Sequence, residues 1–156
     1  MSVVLNGAIR EALVDDTGAG SLVTLTGNSD TPPIALHIGR NSPQAKQRKP
    51  YLGFDIRTSN PAIDDAMTRM QKAIVEFNCI AEKDLLAMQI ADRLEYLLHQ
   101  EAIDDNRAYW DVSNADVSDR QTDFLFREQP EYDEEVDTWM VTVVAALWWI
   151  NQPCPV

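Results

Sequence analysis

A chain of 156 residues, 45% hydrophobic and 24% charged, has the size and balance of one globular domain with a sizeable core. Thirteen basic residues against 25 acidic ones give a formal charge of −12. That argues against a tightly held nucleic acid, because phosphate binding needs a basic surface. An acidic surface keeps a protein soluble, and it also lets DNA pass without sticking.

The first segment reads as a helix. Leu5, Ile9, Ala12 and Leu13 recur at helical spacing and form one apolar stripe. Ser2 or Asn6 is the expected cap, Gly7 weakens the first turn, and Gly18 and Gly20 end the helix. Residues 21–26 (SLVTLT) fit either a short strand or a helical turn, and residues 27–33 (GNSDTPP) are a turn region. Residues 34–38 (IALHI) form a short strand candidate, followed by an exposed loop at 39–50 that carries Lys46, Arg48 and Lys49.

Residues 51–58 (YLGFDIRT) alternate as a strand, with Leu52, Phe54 and Ile56 inward and Asp55 and Arg57 outward. A loop is expected at 59–66. Residues 68–81 form a long strand, with Ala73, Val75, Phe77, Cys79 and Ala81 on one face. It runs almost directly into the strongest helix, at 82–100, whose stripe is Leu86, Ile90, Leu94, Leu97 and Leu98, flanked by Ala87 and Ala91. Glu82 and Asp84 suit the start of that helix and His99 its end. A turn is expected at 103–107. Two strands at 109–117 and 121–128 are expected to form a hairpin around Ser118, Asp119 and Arg120, followed by an acidic loop at 129–137.

Residues 139–150 (WMVTVVAALWWI) carry no charge. Read as a strand they are apolar on both faces, and both faces need cover. Two good helices cover one face of a sheet, so part of the other is expected to meet a second copy or a partner. Residues 150–156 form a short Pro-containing tail. The order of elements predicts a single α+β domain over residues 1–156. Its sheet is mainly antiparallel, with two principal helices packed on one face.

The start of the chain has no basic n-region or long apolar core of a signal peptide, and no run reaches the roughly 18 apolar residues of a membrane span. Cys79 and Cys154 are too few for a disulfide framework and point to a reducing compartment. His37, His99 and the two cysteines are scattered singly, without ligand spacing for a metal. The pairs Asp15-Asp16, Asp64-Asp65 and Asp104-Asp105, and the run Glu131, Asp133, Glu134 and Glu135, lack the pattern of a calcium loop. They read as solvated loop acids. There is no GxSxG, and Gly18-Ala19-Gly20 follows a helix and lacks a Walker lysine. No catalytic site can be assembled. The chain reads as a non-enzyme with no cofactor.

The candidate contact residues are Lys46, Arg48, Lys49, Trp139, Trp148 and Trp149. A positive loop on an acidic chain can dock on a neighbour's acidic surface and set orientation, or lie solvated. Trp148 and Trp149 point to opposite faces, so one belongs to the core and the other to the helices' far end or to a second subunit. An alternative of another class is a small-molecule-binding α+β dimer with a pocket on the sheet. Glu76, Asn78 and Thr142 would supply its polar groups.

Several segments taken together resemble the tail-terminator (tail-completion) proteins of long-tailed bacteriophages. These are the opening helix NGAIREALVDDTG, the segment SLVTLTG, the strand PYLGFDI, the strand-to-helix run AIVEFNCIAEKDLLAMQIADRLEYLL and the last strand VTVVAALWW. The resemblance covers nearly the whole chain and rests on patterns rather than signature residues. The acidic stretch before the last strand and the proline-rich end depart from it. It implies a sheet backed by helices and a hexameric ring that caps the head-proximal end of the tail tube. The ring would end polymerisation and join the tube to a neck or head-completion protein. The partners so implied are other copies, the tube protein, the neck protein and, in a contractile tail, the sheath. DNA passes through without specific binding. The location implied is the virion tail and neck, after assembly in the host cytoplasm. A neck or head–tail connector is the related alternative.

Overall fold

The computed structural model describes residues 3–26, 36–38, 50–61, 70–98, 111–135 and 137–151. Among the described residues, three helices, α1 (Val3–Val14), α2 (Leu22–Leu25) and α3 (Asp84–Leu98), accompany six strands. The strands are β1 (Leu36–Ile38), β2 (Tyr51–Pro61), β3 (Gln71–Ala81), β4 (Val117–Arg127), β5 (Glu131–Asp133) and β6 (Thr138–Asn151). They form one sheet in the order β1-β2-β3-β6-β4, with β5 also paired to β6. Every pairing is antiparallel except β1 with β2. The fold is the expected α+β arrangement.

The strand-to-helix junction explains the layering. Only Glu82 and Lys83 separate β3 from α3, so the helix must fold straight back over the sheet. It lies against β3, β6 and β4. Its stripe of Ala87, Ile90, Ala91, Leu94, Leu97 and Leu98 joins Leu5, Ile9 and Leu13 of α1 in one core. The sheet contributes alternate residues to the same core: Leu52 and Phe54, then Val75, Phe77 and Cys79, then Val141, Val143, Leu147 and Trp149. Phe54 and Phe77 are register partners with ring centroids 6.2 Å apart. Helix α1 touches β1 at one edge and β4 at the other. Its 12 residues make a rod of about 18 Å, close to the roughly 19 Å of four inter-strand gaps.

The ambiguous segment at 21–26 is a helical turn. Ser21 caps α2, its Oγ accepting from the Thr24 N–H at 3.2 Å. Gly18 and Gly20 supply the left-handed corner before it, at φ 103° and 73°. Asp16 is not a solvated loop acid. Its side chain is 8% exposed and takes both arms of Arg93 from α3, at 3.0 and 2.6 Å. The same carboxylate accepts the Leu22 N–H at 2.8 Å. One acid therefore pins the α1–α2 corner to α3, and it satisfies a helix-start donor that no backbone carbonyl can reach.

Two strand boundaries differ from expectation. Strand β2 continues through a bulge between Ile56 and Thr58 as far as Pro61, where a loop was expected from residue 59. Strand β4 runs unbroken through Ser118, Asp119 and Arg120, so there is no hairpin at that point. The turn lies earlier, at 111–117. Asn114 Oδ1 accepts from the Asp116 and Val117 N–H groups at 2.8 and 2.9 Å. Asp119 accepts from the Val112 N–H and the Thr122 hydroxyl, while its own N–H donates to Ser113 Oγ. Of the three residues that looked like a hairpin tip, Asp119 holds the preceding turn closed instead. The expected acidic loop at 129–137 contains β5, which follows β4 along the same edge of β6. The true hairpin joins β5 to β6, with Asp137 at φ 50°. The elements expected at 27–33, 62–66 and 103–107, together with His99 and Cys154, lie outside the described residues.

The Asp16 bracket has a measurable cost of removal. Asp16→Ala strands the Arg93 guanidinium and the Leu22 N–H and should lower unfolding stability by about 2–4 kcal/mol. Arg93→Met keeps volume and should cost only about 1–2 kcal/mol. Urea unfolding of both variants checks the order, and equal effects would contradict it. A second expectation concerns pH. Burial pushes the Asp119 carboxyl above its ordinary 3.8, against the opposing pull of its hydrogen bonds from Thr122 and Val112. A raised acid binds its proton more tightly folded than unfolded. Its contribution is therefore complete below 3.8 and is lost as pH rises through the raised value. The stability of Asp119→Asn relative to the parent should rise across that window, as read from thermal midpoints at stepped pH.

Candidate functional site

Register defines the sheet face turned away from the helices. Across β2, β3 and β6, one row is Tyr51, Ile80 and Met140, continuing to Glu131 of β5. The next row is Gly53, Asn78 and Thr142. Asp55, Glu76, Val144 and Phe126 follow, and further along lie Lys72, Trp148 and Gln121. The face is mixed, with polar groups at its middle and aromatic or aliphatic groups around them.

The expectation that β6 has more apolar surface than one chain can hide is not met. On the helix side Val141, Val143, Ala145, Leu147 and Trp149 are buried. On the opposite side Thr142, Val144, Ala146 and Ile150 are buried as well, none more than 8% exposed. The cause is the strand's central position. Small side chains such as Ala146 are recessed between larger neighbours on β3 and β4, here Ile74 and Asp123. Among the described side chains of this strand, surface is left at Trp139, Met140 and Trp148, which are half-buried.

The three tryptophans named from sequence separate accordingly. Trp149 is 1% exposed within the chain's own core and has no face to offer a second subunit. Trp139 packs against the edge of that core, 5.1 Å from the Tyr132 ring of β5. Trp148 lies on the outer face with the Lys72 ammonium 5.1 Å above its ring, a cation–π contact that keeps the charge near solvent. Lys46, Arg48 and Lys49 lie outside the described residues.

The polar middle of the outer face is enclosed. Asn78 is fully buried and Thr142 is 4% exposed. The Thr142 hydroxyl donates to Asn78 Oδ1 at 3.3 Å, while Asn78 Nδ2 has no partner among the described groups. Glu76 pairs with Arg57 at 3.3 Å. These groups are neither solvated nor arranged as a nucleophile beside a base. Cys79, on the opposite face, is buried, and burial pushes its thiol far up, so it stays protonated and unreactive. Among the described residues no cluster of three or more His, Cys, Asp or Glu could hold a metal.

Sequence reading missed the outermost segment of the sheet. The exposed large apolar side chains of the described strands are Leu125 and Phe126 of β4 and Tyr132 of β5, at 45%, 48% and 41%. Leu125 is the extra residue of a bulge between Phe124 and Phe126, which turns it off the ladder. The one base of this stretch, Arg127, points to the helix layer instead. Its guanidinium pairs with Asp92 and, at 3.3 Å, with Glu95 of α3. The apolar triplet Phe124-Leu125-Phe126 was the available signal, but simple alternation hid the bulge.

The different fates of the neighbouring tryptophans predict different costs. Trp149→Ala should destabilise by about 3–5 kcal/mol. Trp148→Ala, which removes only a half-exposed ring, should cost less than about 1.5 kcal/mol. Denaturant midpoints of the two variants provide the check.

No family model matches the sequence, and no curated protein matches it. Among solved structures, the fold matches a chain from the virion of a native gene transfer agent (GTA) particle. The TM-score is 0.56 over 95% of this chain and 98% of that one, at 15% identity. At so low an identity the likeness is one of fold, and it runs end to end in both chains.

Proposed function

We propose that this chain is a structural protein of a phage-like virion, and that it caps the head-proximal end of a tail tube as a ring of identical subunits. The observation that carries this reading is the end-to-end match in fold to a chain of a GTA virion. It joins the order of segments that resembles tail terminators: an opening helix, a Pro-Tyr strand, a strand running straight into a helix, and an aromatic last strand. On this reading the protein does no catalysis and needs no cofactor. Its work is to present surfaces to copies of itself, to the last ring of tube protein, to a neck or head-completion protein and, in a contractile tail, to the sheath. A ring requires a contact between two different patches that closes on itself. The charge of −12 suits a passage through which DNA slides without being held.

Electron microscopy of particles made without this protein tests the proposal. Tail tubes of uncontrolled, excessive length are the expected result. Tubes of normal length that fail to join heads would instead favour a neck connector. Intact, joined particles would overturn both.

A further inference from the structure

We propose that the segment formed by β4 and β5 is a docking surface for the basic run Lys46, Arg48 and Lys49 of a second copy of this chain. The inference rests on the ring reading and deepens it by assigning its repeating contact.

Three observations carry it. First, the exposed large apolar side chains of the described strands all lie on this one segment, while the central strand is buried apart from the half-buried Trp139, Met140 and Trp148. Exposed aromatic and aliphatic groups on an outermost strand are a liability unless something covers them. Second, the segment is strongly acidic. From Asp123 to Asp137 every charged residue except Arg127 is an acid, and Arg127 is occupied by Asp92 and Glu95 of α3. Glu131, Asp133, Glu134 and Glu135 are all exposed. Such a surface selects a basic partner and repels an acidic one. Third, the complementary charge is present in the same sequence. Residues 46–49 (KQRK) are its densest basic run, with side chains whose apolar stems can lie along Leu125 and Phe126 while their charges meet the acids.

The ring reading calls for a partner in another subunit, since a closing ring joins two different patches of one chain. A basic donor and an acidic acceptor in one sequence give a head-to-tail contact, the kind that repeats from copy to copy.

The test uses the full chain and two charge reversals. One is Lys46→Glu with Arg48→Glu and Lys49→Glu, and the other is Glu131→Lys with Glu134→Lys and Glu135→Lys. Circular dichroism confirms folding, and sedimentation across concentration gives mass. The parent should form species larger than a monomer, and high salt should weaken them, since the screening length falls to about 3 Å at 1 M. Each reversal alone should weaken self-association by at least about tenfold. A mixture of the two should restore assembly beyond the dimer, because in alternating order every run meets a surface of opposite charge. Both reversals in one chain should restore assembly. Leu125→Ser with Phe126→Ser should weaken it without lowering the thermal midpoint.

A parent that stays monomeric at every concentration overturns the proposal, as do reversals that assemble like the parent or that fail to complement each other. Monomers in which the charges cross-link only within one chain would make the occupant the chain's own run and would likewise overturn it. The ring reading is judged separately by tube length in particles lacking the protein. A failed contact with overlong tubes leaves capping standing and only this surface refuted.

Discussion

The structure depends on β6 having partners along both edges. Its 14 residues pair with β3 on one side and with β4 and then β5 on the other. A strand so long and so apolar would be an aggregation hazard at an edge. At the centre its backbone groups are paired on both sides and its small side chains sit below their neighbours. The helix layer follows from the same constraint, since β3 hands the chain directly to α3, and α3 lies over the two strands at the middle of the sheet.

Much of this was legible in the sequence. The stripe of Ile90, Leu94 and Leu97 and the alternation through Val75, Phe77 and Cys79 were sufficient, because each periodicity is imposed by one buried face. The failures have a common cause. Asp16 looked like a loop acid because its partner, Arg93, lies 77 residues away. Ser118, Asp119 and Arg120 looked like a turn because their composition fits one, yet Asp119 spends its carboxylate on the turn before. The burial of the outer face was illegible for a similar reason. Whether Val144 or Ala146 is covered depends on which residues the register sets beside them, not on their own pattern.

The candidate surface was read only in part. The aromatic end of the chain drew attention to Trp149, which the fold uses internally. The large apolar residues left exposed on the described strands are Leu125, Phe126 and Tyr132, in a segment that sequence pattern divided between a strand and an acidic loop. A bulge cannot be seen in a hydrophobic pattern, because it is a mismatch of lengths between two strands. Strands β2 and β4 both carry bulges, while the β3–β6 ladder runs without one. The extra twist therefore falls on the flanks, consistent with α1 reaching both β1 and β4.

The position of β6 in the chain has a consequence for synthesis. It is the last of the described elements, yet it occupies the middle of the sheet. While the polypeptide emerges from the ribosome, β2 and β3 can form only half of the ladder. The first turn of the β5–β6 hairpin appears when nearly everything else is already waiting. Folding then has to join pieces distant in sequence, the slower kind of step. A nonsense codon before Thr138 would not trim a border from this protein but remove its keystone.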